Sequence, residues 1–165
     1  MQRPSSFQVR SSLRMSVAFT LLAAALAPRP ALADVWSGQK GKIFVSDAEY
    51  VSGYASDTAM LSGIRKQSKT TFKGEGIWNL NLMVFLKEPA GGNTVNVVYW
   101  DVTKKKEQID YTEVAVKPDQ KIVQLNGVGL SKERGFIKGH RYDIIVTRII
   151  GGKEKVYAKT TISLK

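Results

Sequence analysis

Beyond about residue 42 the chain places apolar residues at every second position more often than at helical spacing. The clearest case is 77–86, where Trp78, Leu80, Leu82, Val84 and Leu86 fall on one side and Asn79, Asn81, Met83 and Phe85 on the other. Period two of this kind predicts a half-buried strand, and its apolar weight makes it a central one. Pro89-Ala90-Gly91-Gly92-Asn93 ends it with turn chemistry. The stretch 156–164 also alternates, with Val156, Ala158, Thr160, Ile162 and Leu164 against Tyr157, Lys159, Thr161 and Ser163. The stretch 94–103 is apolar on both sides, which predicts either burial of both faces or a bulge. Shorter runs at 43–45, 108–116, 121–130 and up to Ile150 complete a set of about seven strands, with Gly127 and Gly129 loosening the fifth of them. Gly151-Gly152-Lys153-Glu154-Lys155 predicts a hairpin between the last two strands.

Two stretches break the pattern. Residues 38–42 (Gly-Gln-Lys-Gly-Lys) read as a flexible lead-in. Residues 46–69 read as a long connection, partly helical, because Met60, Leu61 and Ile64 follow a possible cap at Ser56 or Asp57. Gly63 weakens that helix. No βα alternation appears, so the expected class is all-β, an antiparallel two-sheet sandwich, with an eight-stranded jelly roll or small barrel second.

One segment sharpens the picture. Ile137-Lys138-Gly139-His140-Arg141-Tyr142 leads into Ile144 and Val146 at period two. It resembles the tyrosine corner of immunoglobulin-like and fibronectin type III sandwiches. The resemblance implies that Gly139 allows a sharp turn and that Tyr142 turns its ring inward and hydrogen-bonds its hydroxyl to nearby backbone. It covers the chain from Ile43 onward, but only this corner is specific. The chain lacks both cysteines of antibody-type domains, which places it nearer the disulfide-free branch.

Composition adds compartment and partners. Arg3, Arg10 and Arg14 precede an apolar run from Met15 to Ala27, and Ala31-Leu32-Ala33 closes it. This is the form of a secretory signal peptide over 1–33, with cleavage after Ala33 and the domain at 34–165. The run is shorter than the about 20 residues of a lasting transmembrane anchor. With no cysteine, the chain has no disulfides, thiolate metal sites or lipidation at that point. Net charge is +11; losing the four arginines of 1–33 leaves +7 on the exported part. A basic surface favours acidic partners such as anionic polysaccharide, lipopolysaccharide, anionic lipid or extracellular nucleic acid, although it also serves solubility alone. The partner expected is a protein or an acidic cell-surface glycan, and nucleic acid is not.

Candidate chemistry is thin. The single histidine, His140, sits in the corner and reads as a turn residue; a catalytic base needs a nucleophile and an orienting acid beside it. One histidine without cysteine does not make a zinc or copper site. Asp101, Asp110, Asp119 and Asp143 stand at strand ends with no calcium-loop spacing. Asp101 and Asp110 flank a hairpin and would make the one carboxylate pair for glycoside hydrolysis, though solvated turn acids explain them more simply. No cofactor is expected.

Binding is the better reading. Trp78, Tyr99, Trp100, Tyr111 and Tyr157 are numerous, and core packing is the ordinary role of any one of them. Trp100 and Tyr111 fall on successive strands beside Lys104, Lys105 and Lys106. Facing outward together, they would form an aromatic platform for sugars with cations beside it. Ile145 and Ile149 make a second candidate surface. The expected function is therefore an exported, non-catalytic binding module. A strand-edge-assembling envelope subunit of the adhesin type is the alternative, and a small hydrolase the remote one.

Overall fold

The computed structural model describes residues 32–51 and 53–165. The signal peptide expected over 1–33 therefore lies outside the described residues, except that Leu32 and Ala33 open the first helix, α1 (Leu32–Ser37). The remaining elements in chain order are β1 (Ile43–Ser46), α2 (Asp57–Gln67), β2 (Thr71–Phe72), β3 (Ile77–Phe85), β4 (Thr94–Asp101), β5 (Glu107–Ala115), β6 (Ile122–Ser131), a 3-10 turn at Lys132–Arg134, β7 (Arg141–Ile150) and β8 (Lys153–Leu164). All seven expected strands form, and the two-residue β2 adds an eighth.

The strands make two sheets, β1-β3-β6 and β2-β8-β7-β4-β5. They pack face to face over one apolar core that takes Trp78, Leu80, Leu82 and Val84 from the first and Val97, Tyr99, Tyr142, Ile144 and Ile162 from the second. Full burial of each such side chain stabilises the fold by about 1.5–3 kcal/mol. The expected all-antiparallel pairing is corrected at one edge, where β2 runs parallel to β8. The chain leaves β1 in the smaller sheet, passes through α2, and arrives at the larger sheet running in the direction of β8.

The corner forms as the sequence resemblance implied. Gly139 takes φ +91°, and its N–H donates to Leu164 O at 2.7 Å. The Tyr142 ring is fully buried against Phe136, 5.1 Å between centroids, and its hydroxyl accepts from Ile137 N–H at 2.7 Å.

The long connection is more ordered than the sequence suggested. α2 spans 11 residues and is capped by Ser56, whose hydroxyl accepts from Ala59 N–H. The helix runs through Gly63, where a Cβ would come within 2.7 Å of the Tyr54 ring, so the packing of that tyrosine calls for glycine at this position. The lead-in at 38–42 is tied down too: Gly41 N–H donates to Phe85 O, Phe85 N–H to Lys42 O, and Gln39 is buried. Both helices lie on the outer side of the smaller sheet. There Val35, Tyr50, Ile64, Met83 and Phe85 build a second, smaller core. This is why Met83 and Phe85, on the face that begins with asparagines, are as buried as the residues opposite.

The strict alternation expected along the last strand is corrected at its start. Pairing of β7 with β8 shifts between Val146 and Thr147. Val156 consequently points out, and Tyr157 turns into the core, where its hydroxyl donates to Ala90 O.

Candidate functional site

The solvent side of the larger sheet is built by β4, β5, β7 and β8. Register fixes which side chains meet there. Val98 lies opposite Tyr111 on β5 and Ile145 on β7, and Ile145 lies opposite Lys159 on β8. Trp100 is two residues along from Val98 and faces Asp143. The sequence expectation of two outward aromatics on neighbouring strands is thus met: Tyr111 is 61% exposed and Trp100 is half-buried. The bulge expected in this stretch falls between Tyr99 and Trp100 against β5. Tyr99 stays in the core, where burial pushes its phenol pKa up.

Lys104, Lys105 and Lys106 form the exposed turn from β4 to β5. Lys106 folds back, its ammonium 4.7 Å from the Trp100 ring centroid. The indole is therefore covered on one side by a cation drawn to its electron-rich face. Lys104 and Lys105 stay free of that contact and extend the positive rim.

Asp143 is the acid buried in this face, a residue the sequence considered only as a stray strand-end carboxylate. Its carboxylate accepts from Thr161 Oγ1 at 2.6 Å and pairs with Lys159 Nζ at 2.7 Å. Burial pushes its pKa up, but the bonds from Lys159 and Thr161 and the charge of Lys106 more than offset that and hold it below the usual range. The local negative charge is neutralised in place, so the surface keeps the sign of its lysines. Lys159 and Thr161 were legible as outward residues of the last strand, but nothing local marked Asp143 as their partner.

Other expectations resolve differently. Ile145 and Ile149 do not form an exposed pair: Ile145 is buried mid-sheet between Val98 and Lys159, and Ile149 projects at the hairpin end. Trp78, Tyr99 and Tyr157 are core residues. The four aspartates stand apart, and three of them are engaged. Asp101 Oδ2 lies 2.5 Å from His140 Nδ1 and Asp101 Oδ1 accepts from Thr103 N–H. Asp110 accepts from Arg134 at 2.7 Å, Asp143 pairs as above, and Asp119 lies near Gln120 at the far side of the smaller sheet. Among the described residues no three His, Asp or Glu gather as metal ligands would. His140 has its acid in Asp101, but the hydroxyl of this cluster, Thr103 Oγ1, accepts from Arg141 N–H and braces the corner.

Compared with known proteins, the chain matches no family model, and no curated protein matches it.

Proposed function

We propose that this chain is an exported, non-catalytic, immunoglobulin-like binding module whose larger sheet recognises an anionic cell-surface glycan. One observation carries the reading: Trp100 and Tyr111 share a solvent face on adjacent strands, with Lys106 over the indole and Lys104 and Lys105 beside it. Aromatic faces stack on sugar rings, and ammonium groups attract carboxylate or sulfate substituents. An arriving anion draws Lys106 off the indole and frees the ring for stacking. The immunoglobulin-like assignment rests on the corner geometry and on eight strands, six of them of eight residues or more, divided between two sheets. Export rests on the pattern of residues 1–33.

Exposed Ile149, Ile150 and Val156 at the hairpin end favour a protein partner as the second reading. Strand-edge assembly has less behind it. Arg134 spans the opening between the edge strands β5 and β6, holding Asp110 and Gly129 O, and Asp110 Oδ1 already accepts from Tyr111 N–H.

The test is titration of the whole chain with uronate or sulfated oligosaccharides and with their neutral counterparts. Trp100→Ala is expected to weaken anionic binding roughly tenfold or more, since one stacked ring contributes about 1–3 kcal/mol. Lys104→Gln with Lys105→Gln should flatten its salt dependence. Equal binding of neutral sugars, or indifference to both changes, would sink the proposal. Mass measurement of the mature N-terminus at Asp34 tests export separately.

A further inference from the structure

On the opposite side of the molecule the second core is closed over β1 and β3 by the helices but left open over β6. The opening is a cleft of about 680 Å³ lined by Trp36, Met60, Met83 and Ile122, with Asp119 and Lys121 at its margin. A cleft of this size falls within the range of small-molecule sites. Its walls are soft: two thioethers adapt to an irregular apolar guest better than branched side chains do.

The mouth is polar in a particular way. Trp36 is held in orientation by its indole N–H, which donates to Leu86 O at 2.6 Å. Lys40 Nζ lies 4.1 Å and Lys121 Nζ 4.5 Å from the ring centroid. No carboxylate of residues 35–51 or 53–165 forms an ion pair with either ammonium, and two like charges against one indole repel each other. The neighbouring amides are already engaged: Gln120 donates to Ile122 O and accepts from Lys117 N–H, and Gln124 donates to Asn126. Among the described side chains Asp119 is the one acid lining the cleft, and against it the two lysines give the mouth a positive balance. An apolar, methionine-lined pocket with two cations at its entrance is complementary to a molecule with one apolar chain and one anionic end.

We propose that this cleft binds a single-chain anionic amphiphile, a fatty-acyl carboxylate, with the chain over Met60, Met83 and Ile122 and the carboxylate between Lys40 and Lys121. The site is separate from the aromatic face of the larger sheet, so the two proposals stand or fall independently.

The sequence supplies a selective probe. The chain has four methionines, and two of them, Met60 and Met83, line the cleft while Met1 and Met15 fall within residues 1–33. Titrating the whole chain, labelled with ¹³C at the methionine methyls, with laurate below its micelle concentration should shift the Met60 and Met83 signals saturably. The other two should stay in place. Decanoate should bind roughly tenfold more weakly, as expected for two fewer buried methylenes. The Lys40→Gln, Lys121→Gln pair, which keeps every apolar side chain of the second core, should weaken laurate roughly five- to tenfold, and Trp100→Ala should change nothing. The proposal is overturned if no saturable shift occurs or if dodecyltrimethylammonium binds as well as laurate. It is equally overturned if only phosphatidylglycerol vesicles move the signals, which would indicate a membrane surface.

Discussion

Tyr142 reaches back five residues so that its hydroxyl accepts the Ile137 N–H at 2.7 Å, and the ring above that bond is fully buried. Two polar groups inside the corner thereby satisfy each other, and the chain is fixed where it enters the central pair β4–β7. A second brace lies beside it, with His140 in the turn paired to Asp101 at the end of β4.

Removing the hydroxyl tests the first brace. Tyr142→Phe keeps the ring and leaves the Ile137 N–H without its acceptor, so the expected loss is about 1–3 kcal/mol. Urea unfolding should show a lower midpoint with an unchanged slope. Gly139→Ala has open space for its methyl but must hold φ +91°, and should cost about 1–2 kcal/mol. If neither change moves the midpoint, the corner is not what fixes the two layers.

Acid sensitivity follows from Asp101 and Asp143. Burial raises the pKa of each. At Asp101 the bonds from His140 and Thr103 prevail, at Asp143 those from Lys159 and Thr161, and both end below the usual aspartate range. In the unfolded chain these carboxyls take up protons at higher pH than in the folded one. Their contribution is therefore fully present above about pH 4 and is lost as pH falls through the depressed folded values. Unfolding free energy measured from pH 6 downward should stay level to about pH 4 and then fall. Asp143→Asn should lower the plateau and make the fall shallower. A slope that Asp143→Asn leaves unaltered would assign the acid loss to other carboxylates.

Arg134 is expected to keep the molecule from pairing through its open edges. It ties Asp110 on β5 to Gly129 on β6, across the side where the two sheets are not joined. Arg134→Ala frees both edges for another extended chain. The variant should associate with rising concentration in sedimentation or light scattering while the parent does not. Two equally monodisperse proteins would mean that the edges are protected by something else.

Strands were legible because their signal is local. In 77–86 each apolar residue on the core side, Trp78, Leu80, Leu82 and Val84, is buried as its alternation required. The corner was legible for a similar reason: glycine, tyrosine and the following period-two run lie within ten residues. Misreadings arose where a distant partner decided the outcome. Gly63 argues against a helix on local propensity, and its reason lies in Tyr54, which occupies the place a side chain would take. Tyr157 alternates with Val156 and Ala158 along the last strand, and the shift beside Val146 that turns it into the core together with Ala158 has no signal in one strand alone. Trp36 gave no periodic signal at all, and only the fold brings it between Lys40 and Lys121.

The amino-acid order alone determined which segments extend, where they turn, and that Trp100, Tyr111 and Lys104–106 come close together, since period-two facing and turn chemistry need only near neighbours. The three-dimensional packing decided what covers each face: the helices over Met83 and Phe85, the neutralisation of Asp143 by Lys159, and the cleft left open above Ile122. Those outcomes depend on which surfaces meet across long stretches of chain, and burial and charge pairing have no fixed spacing along it.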